Sequence, residues 1–137
     1  MSNPLIAAVV HILEGVSGLQ EVHDNGLALP KKSPCAAVEW AGEEAAAPEE
    51  LGGETLLLNV TLSVAILVKL TRDSEAAAAR DQVASLARAA RQVLGSDPTL
   101  GGACQGSIVG QTEMGYHKLG GESWCIATTL ITAQIED

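Results

Sequence analysis

The sequence lacks phenylalanine and is poor in aromatic residues of every kind. Its 137 residues include no Phe, and Tyr116, Trp40 and Trp124 are its only aromatic rings apart from histidine. Proteins that bind single-stranded nucleic acid stack bases on exposed aromatic rings, so this composition argues against that function. The core must be built from Leu, Val, Ile and Ala, and the length suits one domain over residues 1–137.

Basic residues are also scarce. Eight Lys and Arg stand against 17 Asp and Glu, which gives a formal net charge of −9. An acidic chain repels the phosphate backbone, so direct binding of nucleic acid is not expected. Such a protein can still surround DNA without binding it.

Long hydrophobic runs are missing as well, and the first residues do not have the pattern expected of a signal peptide. The first residues, Met1-Ser2-Asn3-Pro4, lack the basic start and apolar core of a signal peptide. The most apolar stretch, residues 55–70, is too short for a membrane helix and is interrupted by polar residues. We therefore expect no membrane association and a location in the cytoplasm where the protein is made.

Residues with catalytic or metal-binding chemistry do not form recognisable motifs. The three cysteines, Cys35, Cys104 and Cys125, are odd in number, widely spaced and set in apolar surroundings, which predicts buried thiols and no disulfide framework. The three histidines share no zinc-site spacing with them, and no serine lies in a nucleophile elbow. The sequence therefore predicts no catalytic residue, no cofactor and no metal, and a protein that is not an enzyme.

Residues 55–70 instead form the most regular pattern in the chain. Large aliphatic residues occupy every even position, and polar residues occupy most odd positions. The even positions are Leu56, Leu58, Val60, Leu62, Val64, Ile66, Val68 and Leu70. A period of two predicts a strand buried on one face. A strand of this length would span about 50 Å, well beyond the usual strand.

Two stretches have the longer period of a helix. Pro4 and the apolar spacing that follows it predict a helix over 4–14, which Gly15 ends. Residues 75–94 repeat small apolar residues every three or four positions, with Arg88 and Arg91 toward the end, where the helix dipole favours them.

Shorter strands are predicted over 19–23, 35–40, 104–114 and 122–135, with a turn over 115–121. Apolar residues on both faces of 122–135 predict a strand covered on both sides. The fold expected is α+β, with a mostly antiparallel sheet, one very long strand (55–70) and two helices on one face.

Residues 41–54 are rich in Gly, Ala, Pro and Glu and contain Glu43, Glu44, Glu49 and Glu50. Such a composition buries little apolar surface, so it predicts a mobile acidic loop. The loop is either a plain connection or an acidic flap that becomes ordered against a partner.

A glycine-containing loop, Ser96-Asp97-Pro98-Thr99-Leu100-Gly101-Gly102, follows the second helix. A phosphate-binding loop follows a strand and leads into a helix, whereas this loop does the opposite. Together with the acidic loop, the alternating strand and the Ala- and Arg-rich helix, it resembles the small tail terminator (tail completion) proteins of long-tailed phages and prophages.

That resemblance implies a structural role in virion assembly without chemistry. Tail terminators form a hexameric ring on the tail tube, end tube polymerisation and provide the surface for head–tail joining. The implied partners are further copies of the chain, the tail tube protein and a head-completion or neck protein, with DNA passing through unbound. The implied locations are the host bacterial cytoplasm during assembly and then the virion tail.

A ring requires two complementary patches on each copy. Charge alone suggests an acidic patch facing a basic one at the contact between subunits or with the tail tube. The candidate residues are Glu43, Glu44, Glu49, Glu50, Arg72, Arg80, Arg88 and Arg91. Two alternatives stay open, namely another neck or tail-completion component of the same fold, and a small ligand-binding or enzymatic α+β domain.

Overall fold

The computed structural model describes residues 4–24, 30–45, 57–70 and 76–136. Within these ranges the chain forms two helices and five strands. In chain order they are α1 (Pro4–Glu14), β1 (Glu21–His23), β2 (Cys35–Ala45), β3 (Leu57–Lys69), α2 (Ala76–Gly95), β4 (Gly106–Leu119) and β5 (Glu122–Glu136). The predicted α+β class is confirmed, and neither described helix is long and apolar enough to cross a membrane.

The five strands form one sheet in the order β1-β2-β3-β5-β4. All neighbours are antiparallel except β1 and β2, which run parallel. The predicted mostly antiparallel sheet is therefore confirmed. Because β5 is inserted between β3 and β4, α2 crosses over β5 to connect two strands that run in the same direction.

Both helices pack on one face of this sheet, which we call the closed face. The even positions of β3 point toward them, as the period of two predicted, and alternate residues of β2 and β5 join them in one cluster. Its fully buried members include Val9, Leu13, Val38, Val60, Leu62, Val64, Ile66, Val83, Leu94, Leu100 and Ile131. The other side of the sheet, which no described helix covers, is the open face.

β3 begins at Leu57 and ends at Lys69, inside the predicted span of 55–70. The expectation of one exceptionally long strand is not confirmed, because β4 and β5 are both longer than β3. Instead, three long strands of similar length lie side by side, because β5 pairs with β3 on one side and with β4 on the other.

The prediction of a mobile loop over 41–54 is wrong for its first residues, because β2 continues to Ala45. Glu43 and Glu44 pair with Val60 and Asn59 of β3, after a bulge between Trp40 and Gly42. Pairing with a well-packed neighbour therefore overrides the unfavourable local composition. The remainder of the predicted loop, 46–54, lies outside the described residues.

The predicted turn over 115–121 is also wrong, because β4 continues to Leu119. The chain reverses in two residues, Gly120 and Gly121, whose φ angles of 60° and 82° suit the tight turns of β-hairpins. A bulge interrupts β4 between Val109 and Thr112.

β5 was predicted to be covered on both faces, and this holds only for its first residues. Trp124 and Ile126 are buried on the open face, where they pack with Cys35, Ala37 and Leu67. Further along the same face Leu130 is 47% exposed. Among the described residues, the cover on this side is therefore limited to one end of the sheet.

The loop after α2 anchors the chain rather than binding a ligand. Leu100 has a φ of 51° and is fully buried in the closed-face core. An Asp97 carboxylate oxygen accepts a hydrogen bond from the Gly101 amide at 2.9 Å, and Thr99 accepts one from Gly102. Gly101 and Gly102 also have positive φ angles, which glycine adopts without steric cost.

Candidate subunit interface

The charged residues predicted to form an interface lie on two opposite sides of the sheet. Glu43 and Glu44 are exposed near the end of β2, on the side of the sheet that β1 borders. Arg80 and Arg88 are exposed on α2, which packs over β3, β5 and β4. The fold thus separates Glu43 and Glu44 from Arg80 and Arg88 within one chain. Glu49, Glu50 and Arg72 lie outside the described residues.

Arg91 differs from the other two arginines because it is already bound within its own chain. Its guanidinium donates hydrogen bonds from Nη1 to the carbonyl of Gly110 and to Oγ1 of Thr112, the latter at 3.2 Å. Thr112 in turn shares a hydrogen bond of 2.7 Å with Thr129 of β5. Arg91 therefore fixes the bulge of β4 to α2, a role that its position in the helix did not reveal.

Gly110 contributes to the same bulge by its lack of a side chain. A Cβ atom at this position would lie 3.0 Å from the carbonyl oxygen of Leu130. The bulged strand thus approaches β5 more closely than another residue would allow, and the sequence indicated this with a glycine inside a predicted strand.

β4 forms one edge of the sheet and is unusually apolar for an edge strand. Among the described residues, four large hydrophobic side chains are well exposed, and three of them lie on β4. These are Ile108, Met114 and Tyr116, with Leu130 on the adjacent strand. Edge strands offer unpaired amide and carbonyl groups to other chains, and proteins usually protect them with charge or proline. Exposed apolar residues on an edge favour a contact with another chain.

The opposite edge of the sheet is the short strand β1, where the carboxylate of Glu21 accepts several hydrogen bonds. Glu21 of β1 accepts hydrogen bonds from the backbone amides of Lys31 and Lys32, at 3.0 and 3.2 Å, and interacts with His23 at 2.9 Å. The hydrogen bond with His23 is the main cause that lowers the pKa of Glu21. Lys31 and Lys32 thus bind Glu21 through their backbone amides.

β1 covers only the beginning of β2. It pairs with Cys35, Ala36 and Ala37, and no other described strand pairs with that side of β2. Residues 38–45 therefore have a free edge within the described part of the chain. This edge carries Glu39, Glu43 and Glu44 and no basic residue.

A hollow of about 310 Å³ lies on the open face. Glu39 borders it from β2, His117 and Lys118 border it from β4, and small residues of the central strands form its floor. Trp124, which packs beside these residues, has a buried Nε1 atom without a hydrogen-bond partner among the described residues. The hollow is the feature that a ligand-binding protein would use.

The thiols do not supply a nucleophile. Cys35, Cys104 and Cys125 are all buried and free, as predicted. Burial raises the pKa of Cys35 to about 12 and also raises the pKa values of the other two thiols. Thiolate is the reactive form, so burial makes all three side chains poor nucleophiles at neutral pH.

Groups of three or more metal-binding side chains are absent from residues 4–24, 30–45, 57–70 and 76–136. No protein-family model matches the chain, and no curated protein matches it either.

Proposed function

We propose that this protein is a phage tail terminator, a structural protein that caps the tail tube as a ring. The ring ends polymerisation of the tube and provides the surface that joins the filled head. The observation that carries the proposal is the placement of acidic residues at the free edge of β2 and of exposed basic residues of α2 and β4 at the other side of the sheet.

Two different complementary patches favour a head-to-tail contact. In a twofold dimer the same patch must match itself, so an acidic edge would face an acidic edge. When the acidic side of one copy meets the basic side of the next, each copy has one neighbour on either side. A rotation that closes gives a ring, and the resemblance of the sequence to tail terminators implies six copies.

The overall charge of −9 suits a channel for DNA. Counterion release gives basic surfaces their affinity for DNA, and an acidic ring has no such affinity. Partners in this function are further copies of the chain, the tail tube protein and a head-completion protein. Assembly takes place in the host cytoplasm, and the product is part of the virion tail.

The test is the growth of tail tubes assembled from the purified tube protein of a long-tailed phage. Adding the protein should stop elongation and leave shorter tubes with the protein at one end. Glu43→Lys combined with Glu44→Lys should weaken this effect, and Glu14→Lys, an equivalent change on an exposed residue of α1, should not. Tubes that grow unchanged in the presence of the protein would refute the proposal.

A second candidate function is the binding of a small polar ligand in the hollow on the open face. The carboxylate of Glu39 and the imidazole of His117 at its border favour this alternative. It predicts a protein that leaves tubes uncapped and that is stabilised by a ligand, an effect lost in Glu39→Gln. A neck component with the same fold would instead bind another ring of the neck.

A further inference from the structure

Strands β2 and β4 each end in a free edge, with two glutamates on β2 and a histidine and a lysine on β4. On β2 the last residues, 42–45, carry Glu43 and Glu44 beyond the point where β1 stops. On β4 the last residues, 116–119, carry His117 and Lys118 and, within the described part of the chain, pair on one side only, with β5. All four of these side chains are exposed.

The directions of the strands permit these edges to join. β2 is antiparallel to β3, β3 to β5, and β5 to β4, so β4 runs opposite to β2. If a second copy is placed beside the first in the same orientation, its β2 meets the first copy's β4 as an antiparallel pair. Antiparallel strands joined in this way extend the sheet without any change in fold.

The faces of the sheet limit which residues can be opposite each other. Glu43 pairs with Val60 and so lies on the closed-face side of β2, and Lys118 lies on the same side because it pairs with Ser123 of β5. Glu44 and His117 lie on the open-face side. Cross-strand neighbours must share a face, and these two pairs do.

One register therefore matches both pairs at once. When Glu43 is opposite Lys118, Glu44 is opposite His117 and Ala45 is opposite the half-exposed ring of Tyr116. The Gly120-Gly121 turn then lies beside Trp40. The pairing strand therefore ends before it reaches Ala37, the last residue of β2 that pairs with β1. A shift by four residues would instead place Glu44 opposite Glu113, and like charges directly opposite are destabilising.

We infer that copies of this chain join by pairing residues 42–45 of one copy with residues 116–119 of the next, so that the sheet continues across the contact. This inference specifies the subunit contact of the proposed ring and rests on that function. It assigns Glu43 and Lys118 to one side of the new strand pair and Glu44 and His117 to the other.

A disulfide tests this register directly. Glu43→Cys combined with Lys118→Cys should form cross-links between copies under mild oxidation, because facing residues of paired strands satisfy disulfide geometry. A link within one chain is excluded by distance. The strand pairing aligns Glu43 with Ser107 across the sheet, and Lys118 lies more than about 30 Å further along β4. The native cysteines are buried and add little background.

The matched control is Glu43→Cys combined with His117→Cys, in which the second cysteine is one residue away on the other face. We expect a ladder of covalent oligomers from the first variant, at roughly tenfold the yield of the control, because cysteines on opposite faces cannot meet. Equal yields from the two variants, or no ladder from either, would overturn the inference.

Charge exchange supplies a second test that needs no cysteine. Glu43→Lys and Lys118→Glu should each weaken self-association by up to about fivefold per contact, and the double variant should restore it. If self-association of the double variant is weakened by as much as the two single effects combined, the pairing is contradicted.

Both tests are made on the free protein at high concentration and on protein bound to tube ends. Capped tubes without a ladder would refute the strand pairing and leave the terminator function intact. A ladder from protein that leaves tubes uncapped would refute the terminator function and retain the pairing.

Discussion

The two faces of the sheet are built from the same strands and have opposite roles. On the closed face, aliphatic side chains of three strands pack under two helices and are almost fully buried. On the open face only one end is buried, around Trp124, and the remainder holds hydroxyl, carboxylate and exposed apolar groups. The closed face stabilises the fold, whereas the open face and the strand edges are available for contacts.

Adjacent residues of β5 give the strongest test of this difference. Ile131 is fully buried on the closed face, and Leu130, a side chain of the same size, is 47% exposed on the open face. Ile131→Ala should lower the free energy of unfolding by about 2–5 kcal/mol, because it leaves a cavity in the core. Leu130→Ala should lower it by less than about 1 kcal/mol. Urea unfolding of both variants measures this, and equal losses would show that the open face is covered too.

Arg91 connects the closed face to the edge strand and is the next most sensitive position. Arg91→Ala should cost about 1–3 kcal/mol, because the half-buried carbonyl of Gly110 loses its donor. Arg88→Ala, one turn earlier on α2 and exposed, should change the free energy of unfolding by less than about 0.5 kcal/mol.

Hydrogen exchange of the β4 amides provides the second measurement for this pair of variants. Faster exchange near the bulge in Arg91→Ala alone is expected. Identical exchange in the two variants would mean that the bulge does not depend on Arg91.

The smallest predicted effect concerns the β1 edge and depends on pH. The pKa of Glu21 is lowered in the folded chain, so its carboxylate stabilises the fold above the unfolded value, near 4.5, and this contribution is lost as the pH falls through the lower folded pKa. Glu21→Gln should therefore cost about 1 kcal/mol at pH 7 and progressively less as the pH falls below the unfolded value.

Thermal unfolding across this pH range measures the contribution of Glu21. The exposed Glu14→Gln serves as the control for the loss of one carboxylate at the surface. A loss in Glu21→Gln that does not become smaller as the pH falls would contradict an ionised carboxylate as its cause.

The elements that the sequence predicted best are those with strong local signals. Helix α1 begins at Pro4 and ends at Glu14 as predicted, because proline and glycine mark its ends. The alternation in β3 correctly identified its buried face. The thiols were correctly predicted to be buried because their neighbours are apolar.

The features that the sequence did not reveal depend on contacts between distant residues. β2 continues through Glu43 and Glu44 because β3 pairs with them, and β4 continues past Met114 because β5 pairs with it. The partners of Arg91 arise from a bulge whose position depends on the register of two strands. For the proposed interface, the charged residues could be identified from the sequence, whereas their separation on opposite sides of the sheet could be seen only in the fold.

The central claim is that this chain closes into a ring on the end of a tail tube. Electron microscopy of tubes incubated with the purified protein tests it most directly. We expect one end of each tube to carry added density, with sixfold symmetry when viewed along the tube. Tubes with bare ends at saturating protein would contradict the claim.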